Sequence, residues 1–532
     1  MSAEGMVSRR YDRAARSATA VACVAVFGAL IALIPQLIIA AKFGLGGISD
    51  AYFMSAAILL TLVKVLEVQT LPKLYITIFA EYLNRPKKLE EVVSNLLHVS
   101  LIVFGALVPV LILVCPMLVT VLAPGFDADT KALTVYLLRL TAAALLFVPV
   151  SGLFTAVLHS FERFTVVSAV QLIPGTIMAV FTLATVDALG ISSLALGNLL
   201  GYAVHVVALY LCLIALGLRH RWVLDPWSRD VRTTGRLLLP FMLVSVFDQA
   251  GGLFSNVIAS LLPGGSFSAL VMARKIRSYI LAIVFETIPT IMYPSMAKSS
   301  LARNREHLRR LLLDGLRMIH FLTFPVLVLV VILSYDVVGL VFRRGAFDEA
   351  ATRNVATCLA FLAVGLLPGG LSVLFSRALF ALQDTIWINR TTVITSISQI
   401  FLSVVMVYFW GLFGLAAAIA THTLLNVVQY YIRLRSIIEL KAVLFDPSFI
   451  QAFIISLCMG VVSFSFNRYL LAEFEFAGLA GKLIHIGSVT GVGMGVYGLL
   501  AYLAGVEEFR ILARVVVDSR QRVSALLFKH LV

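Results

Sequence analysis

Apolar runs long enough to cross a bilayer dominate this chain of 532 residues and leave it few possible folds. A helix needs about 20 consecutive apolar residues to span the hydrocarbon core. About fourteen stretches meet that requirement, the first near 19–41 and the last near 482–504. Hydrophobic residues make up 60% of the chain and charged ones only 13%, with a mean hydropathy of +0.99. This composition excludes a soluble globular protein and predicts an all-α polytopic membrane protein. The formal net charge of +14 then reads as Lys and Arg retained on the cytoplasmic side beside anionic membrane lipids, with no nucleic-acid partner.

Cys23, Cys115, Cys212, Cys358 and Cys458 all lie inside apolar runs, without the spacing of a metal site or a disulfide framework. They read as packing residues. The N-terminal SRRYDRAARSATA precedes an apolar run too long for a signal-peptide core, so it reads as an uncleaved first helix. With that end inside, the alternate loops NRPKK, FERF, RHRWVLDPWSRDVRTTGR, KSSLARNREHLRR, QDTIWINR and YYIRLRSIIELK are cytoplasmic. Together with the termini they hold about 27 Lys and Arg, against about 7 in the outer loops. Both termini are therefore expected in the cytoplasm.

The chain also repeats itself. VLAPGFDADT at Val121 pairs with VFRRGAFDEAAT at Val341, and SGLFTAVLHSFERF at Ser151 with SVLFSRALFALQDT at Ser372. TVVSAVQ at Thr165 returns as TVITSISQ at Thr392, and QTLP at Gln69 as ETIP at Glu286. The common offset of about 220 residues predicts two pseudo-symmetric six-helix lobes, 1–217 and 237–440, joined by a basic linker over 218–236. Residues 441–532 add two helices and a basic tail. Parallel repeats of this kind are a transporter architecture, with a cavity expected between the lobes and access alternating by rocking.

One span breaks the charge pattern. In ALVMARKIRSYILAIVFETIP, starting at Ala269, the residues Arg274, Lys275 and Arg277 lie about 10 to 15 Å below the outer end of helix 8. Each cation facing lipid at mid-membrane costs at least about 2.5 kcal/mol. At 100° per residue positions 274, 275, 277 and 278 share one arc, to which Glu286 returns. Snorkelling to the headgroups accounts for Arg274 better than for the deeper Arg277. A wet cavity binding an anionic group such as a phosphate accounts for both.

Lys64 and Glu67 are neighbours on one face of helix 2, either as a self-neutralising pair or as part of the opposite cavity wall. Asp248 and Gln249 in helix 7 offer oxygens for Na+. Arg139, His205, Arg377 and His422 are lone polar residues on apolar helices and read as satisfied packing or helix-end snorkelling. Pro72, Pro174, Pro289, Pro294 and Pro368-Gly369-Gly370 interrupt spans, as suits helices that bend during transport. There is no P-loop, HExxH or GxSxG pattern and no loop large enough for a catalytic domain, so no enzyme chemistry is expected.

The ordered series FGLGGISDAYF, FAEY, VLAPGF, YPSMAKS, VFRRGAF and FALQDT resembles the MurJ/MviN family of lipid II flippases in the MOP exporter superfamily, over helices 1 to 12. The resemblance implies fourteen helices, a cationic cavity for the pyrophosphate and sugars of an undecaprenyl-linked peptidoglycan precursor, and a groove at helices 13 and 14 for its tail. It further implies a bacterial cytoplasmic (inner) membrane location and transport driven by membrane potential, Na+ or H+, without a cofactor. A family arginine of helix 8 falls on Lys275. The family's helix 1 arginines and the adjoining acidic residue fall on Ala29, Pro35 and Gln36, and a helix 2 arginine falls on Val63 beside Lys64.

The expected function is outward translocation of an undecaprenyl-pyrophosphate-linked saccharide, with lipid II the leading cargo. Arg274, Lys275 and Arg277 would hold the diphosphate, and Lys64, Glu67 and Glu286 would line the cavity. The neutral first-lobe positions leave two alternatives open: a flippase for another lipid-linked polysaccharide unit, or a non-transporting scaffold for cell-wall synthesis enzymes.

Overall fold

The computed structural model describes residues 27–510, apart from 29, 67–70, 285–286, 439–446 and 475–477. Glu67, Glu286, Ala29 and Cys23 lie outside the described residues. The described residues form helices joined by turns and one longer non-helical segment before Arg229, with no strand among them. Ten of its helices are long and apolar enough to cross a membrane, or eleven when the bent pair Glu349–Ala363 and Leu366–Ala381 counts as one more.

In chain order the helices are α1 (Leu30–Phe43), α2 (Gly47–Val65), α3 (Leu71–Ala80), α4 (Pro86–Leu122), α5 (Ala128–Thr141), α6 (Ala144–Ser160), α7 (Phe164–Val170), α8 (Ile173–Leu189), α9 (Ser192–Ala215) and α10 (Arg229–Ser260). Then follow α11 (Ser266–Val284), α12 (Thr287–Leu301), α13 (Arg305–Phe342), α14 (Glu349–Ala363), α15 (Leu366–Ala381), α16 (Thr385–Ile438), α17 (Pro447–Glu473) and α18 (Gly478–Leu503).

Local chemistry sets the helix starts. Asp127, Ser228 and Asn304 cap α5, α10 and α13 by accepting from Thr130 N, Val231 N and His307 N. Pro86 opens α4, where a missing N–H costs nothing. The 54 residues of α16 would reach about 81 Å if straight, far beyond one membrane crossing. Gly411, at φ 53° and ψ −130°, breaks it into two helices, in keeping with the separate apolar runs near 391–410 and 413–432 in the sequence.

The chain forms two compact units. One comprises Met1–Ser268 with Arg344–Asp348, the other Ala269–Arg343 with Glu349–Val532. In the first unit α2 packs on α5, α8 on α9, and α6 on α3, α4 and α9. Helix α10 packs on α2, α3 and α4 and so goes with this unit. The segment before it is held against α4. Asn95 donates to Asp225 O and Ser228 Oγ and accepts from Asp225 N, while Arg221 pairs with Glu90 at 2.8 Å. His98 Nδ1 meets Val223 O at 2.7 Å, and its ring stacks on Trp222. The basic linker is thus anchored through its backbone.

The glycines of the first repeated motif pair make close backbone contacts within this unit. A Cβ on Gly125 would lie 2.3 Å from Ser260 O at the end of α10. One on Gly345, which has φ +57°, would lie 2.1 Å from Ala41 O at the end of α1. Ala346 N donates to that same carbonyl at 2.8 Å. Only glycine permits both approaches.

In the second unit α13 is the central helix, packing on α12, α14, α15, α17 and α18. Helices α17 and α18 join it through Phe321, Leu329, Leu333, Ile455, Met459, Val489 and Tyr497, and Tyr497 donates to Phe321 O at 2.8 Å. A second cluster, around Leu316, Ile319, Leu374, Phe375 and Leu434, joins α13 to α15 and α16.

Candidate functional site

The cation-bearing α11 begins on a carboxylate. Asp50, in the first turn of α2, is 2% exposed. Its oxygens accept from Gly265 N and Ser268 N, each at 2.7 Å. These N–H groups belong to the start of α11, where helical geometry leaves them without partners. The carboxylate also opposes the positive end of the helix dipole. Ser49 Oγ adds a contact to Ser268 Oγ at 3.4 Å.

Within the second unit α11 then turns two sides to different surroundings. Arg274 and Arg277 are half-buried, whereas Lys275 and Ser278 are exposed on the chain's own surface. Arg277 Nη2 donates to Gly365 O at 3.4 Å. That carbonyl sits at the 44° bend between α14 and α15, where the backbone departs from regular helix. Leu281, one turn on, packs with Ala363 and Leu366 of the same bend. Gly369 leaves room for α11 here, since a Cβ there would stand 3.2 Å from Leu281 Cδ2. Arg274 lies within electrostatic range of Arg277 and of the buried thiol of Cys358 on α14.

The second half of α16 carries a polar stripe. His422, Asn426 and Gln429 recur at helical spacing on one side of it. His422 is close enough to interact electrostatically with both Arg277 and Arg274. Asn426 Nδ2 donates to Ser372 Oγ on α15 at 3.3 Å. Arg277 Nε, Tyr279 OH, Asn426 Oδ1 and Gln429 Oε1 are buried without a hydrogen-bond partner among the described residues. Buried polar atoms are nearly always paired, so unspent capacity on α11 and α16 suits a polar ligand or water.

The other candidates fare differently. Lys64 is half-buried in the last turn of α2, and its expected companion Glu67 lies outside the described residues. Asp248 is exposed and accepts from Gln249 Nε2 at 2.6 Å. The exposed Arg139 donates to Ile112 O at 3.2 Å, while His205 is buried and bonds Val170 O at 3.0 Å as a packing residue. Arg377 lies over the Tyr293 ring. Gln36 is 9% exposed with Oε1 unpartnered among the described residues.

Sequence reasoning passed over Asp50 and His422. Asp50 is visible as the one acid inside the motif SDAYF, but its partner helix is more than 200 residues away.

The sequence profile of the MurJ family, described as lipid II flippase MurJ, matches residues 39–485. The chain belongs to the MurJ family. A probable lipid II flippase MurJ of Rickettsia prowazekii is 23% identical over 506 residues, covering 93% of this chain and 98% of that one. The structure of a lipid II flippase MurJ in an inward closed conformation aligns with a TM-score of 0.77 at 20% identity, over 93% of this chain and 99% of that chain. An inward-facing multidrug-resistance MATE transporter of the MOP superfamily aligns at 0.67 and 14% identity, over 78% of this chain. At these identities the two structural likenesses speak for fold. Membership of the MurJ family makes the chain a multi-pass membrane transporter and not an enzyme.

Proposed function

We propose that this MurJ-family chain flips lipid II, carrying its undecaprenyl diphosphate-linked saccharide from the inner to the outer leaflet of the bacterial cytoplasmic membrane. The observation that carries the reading is the Arg274–Arg277 pair, directed into a helical unit that also holds unpartnered buried polar atoms on α11 and α16. Guanidinium groups suit a diphosphate because each offers a planar fork of donors to phosphate oxygens. Tyr279, Asn426 and Gln429 add hydroxyl and amide groups of the kind that bind sugars. The Lys and Arg bias between loops supports cytoplasmic termini. Membrane potential or a coupled ion would supply the drive, and cell-wall synthesis enzymes are the natural neighbours of such an activity.

The test is lipid II binding by native mass spectrometry, followed by transbilayer movement of labelled lipid II in proteoliposomes. The double variant Arg274→Gln/Arg277→Gln should lose at least about tenfold in affinity, the scale of one lost charge-assisted contact. Lys275→Gln, on the exposed side of α11, should lose less. Neutral Gln36 and Val63, at positions where the family resemblance implies charge, favour one second reading: a flippase for a different polyprenyl-linked saccharide. Tight binding of such a lipid with none of lipid II would establish that reading. Unchanged lipid II binding by the double variant would remove the arginines from the site.

A further inference from the structure

Beside the start of the linker the first unit holds an open cavity of about 360 Å³, within the size range of ligand sites. Its walls come from α4, α6, α9 and residues 218–220. One side is apolar, with Leu97, Leu213 and the tilted ring pair Phe154–Tyr210, whose centroids are 5.8 Å apart. The neighbouring Val207, Leu211 and Ile214 of α9 are exposed, as suits a helix bordered by lipid chains. The other side is polar, formed by Glu90, Ser94, Arg219 and His220. Two exposed tryptophans, Trp222 and Trp227, follow in the linker, and tryptophan gathers where hydrocarbon gives way to headgroups. The cavity straddles that boundary.

The polar side holds donors beyond those its own carboxylates engage. Glu90 accepts from Arg221 Nε at 2.8 Å and from Arg219 N at 3.1 Å. Arg221 also reaches Glu91 at 3.5 Å, which Lys88 meets at 3.1 Å. Lys88, Arg219 and Arg221 against Glu90 and Glu91 leave one positive charge in excess. It sits on Arg219, whose exposed guanidinium acts on Glu90 only at longer range and makes no hydrogen bond among the described residues. Ser94 Oγ is 3% exposed and accepts from Arg221 N at 3.0 Å, and its own proton has no acceptor among the described residues. His220 completes the rim, its ring edge-on to His98 and Trp222.

We infer that this cavity binds one anionic phospholipid of the leaflet bordering the linker, with its phosphodiester on Arg219 and Ser94 and the start of an acyl chain along Phe154, Tyr210 and Leu213. An ionised phosphodiester accepts from a guanidinium and a hydroxyl and donates nothing, which matches the donors left over here. A zwitterionic headgroup would bring an ammonium as well, but Glu90 and Glu91 are already held by Arg221 and Lys88. A headgroup of net negative charge therefore fits the single excess cation, as basic segments next to a membrane favour acidic lipid. Arg219 and His220 line the cavity only while the linker lies on α4. Lipid binding and linker docking accordingly strengthen each other.

The test compares lipids on the full-length protein in detergent. Native mass spectrometry titrates phosphatidylglycerol and phosphatidylethanolamine of identical acyl chains, and hydrogen–deuterium exchange follows peptides over 211–223. The first phosphatidylglycerol should bind about fivefold more tightly than phosphatidylethanolamine, the effect of one cation beside anionic lipid. It should also slow exchange over 218–223, which phosphatidylethanolamine should not. Arg219→Gln should bring phosphatidylglycerol to the level of phosphatidylethanolamine, whereas Arg229→Gln, exposed beyond the cavity, should leave it unchanged. Glycerophosphoglycerol, the same headgroup without chains, should give no protection. Equal affinity for the two lipids overturns the inference, as does an Arg219→Gln variant that binds phosphatidylglycerol like wild type. Phosphatidylglycerol binding that leaves 218–223 unprotected overturns it by placing the lipid elsewhere. Equal protection by the chain-free headgroup overturns it by showing a site for a soluble anion.

Discussion

Removing the Asp50 carboxylate should release the start of α11, and the size of that effect follows from two hydrogen bonds. Asp50→Ala takes away both acceptors at 2.7 Å and leaves Gly265 N and Ser268 N buried without partners. A hydrogen bond to a charged group contributes about 1.5–3 kcal/mol, so the pair together contributes about 3–5 kcal/mol after allowance for non-additivity. At about 1.4 kcal/mol per factor of ten, amide exchange through local opening should accelerate by about two to three and a half orders of magnitude. Asp50→Asn keeps one carbonyl oxygen and loses the charge, and should recover roughly half of that on the logarithmic scale. The assay is hydrogen–deuterium exchange read by mass spectrometry on peptides spanning 262–272, with the anchored stretch 221–228 as an internal reference. Exchange in Asp50→Ala within about threefold of wild type over 262–272 would show that other groups hold this helix start, and the capping argument would fail.

Two further outcomes are expected. Gly125→Ala should destabilise the folded protein by about 2 kcal/mol and Gly345→Ala by about 3 kcal/mol or more. Each meets a carbonyl oxygen at less than 2.5 Å, and the second also forces a side chain into left-handed backbone. Gly252→Ala, with open space around its Cβ, should be neutral or stabilising by comparison; thermal unfolding of the three variants in detergent decides, and equal midpoints would refute the close-approach reading. In the anchored linker, burial and the neighbouring His98 hold the His220 imidazole below the ordinary histidine range. The released segment therefore binds more protons than the docked one as pH drops below about 6.5, and docking is stabilised above that pH and lost as pH falls through the depressed value. Limited proteolysis at 218–228 should accordingly be faster at pH 5.5 than at 7.5, and His220→Gln should flatten the difference; a wild type cut equally at both would refute it.

The fold was largely legible because the membrane imposes a single requirement, apolar length, that a sequence displays directly. The break in α16 was legible for the same reason: an interruption near Gly411 separates two apolar runs that cannot both fit in one crossing. Repeated motifs located Gly125 and Gly345, whose close approaches explain why each motif carries glycine. What the pattern could not show is which helix a polar group meets. The linker over 218–236 reads in the sequence only as a basic cytoplasmic connection. Asn95, Ser94 and His98, buried or half-buried in α4 and unremarkable in sequence, bind its backbone instead.

The arc on α11 shows the same limit in the site itself. At 100° per residue, positions 277, 274, 278 and 275 span about 160° of the helix circumference, more than one neighbouring helix covers. Such an arc has to divide, and in the second unit it divides at its middle, with Arg277 and Arg274 half-buried and Ser278 and Lys275 exposed. The family resemblance singles out Lys275, whereas partial burial, and for Arg277 the bond to Gly365 O, single out the two arginines. His422 reads as a packed residue in the sequence because an isolated histidine on an apolar helix is most often one, and nothing 145 residues earlier announces that two guanidiniums lie within electrostatic range of it. Arg277 meets Gly365 O at the bend between α14 and α15, a partner that no spacing along α11 could reveal.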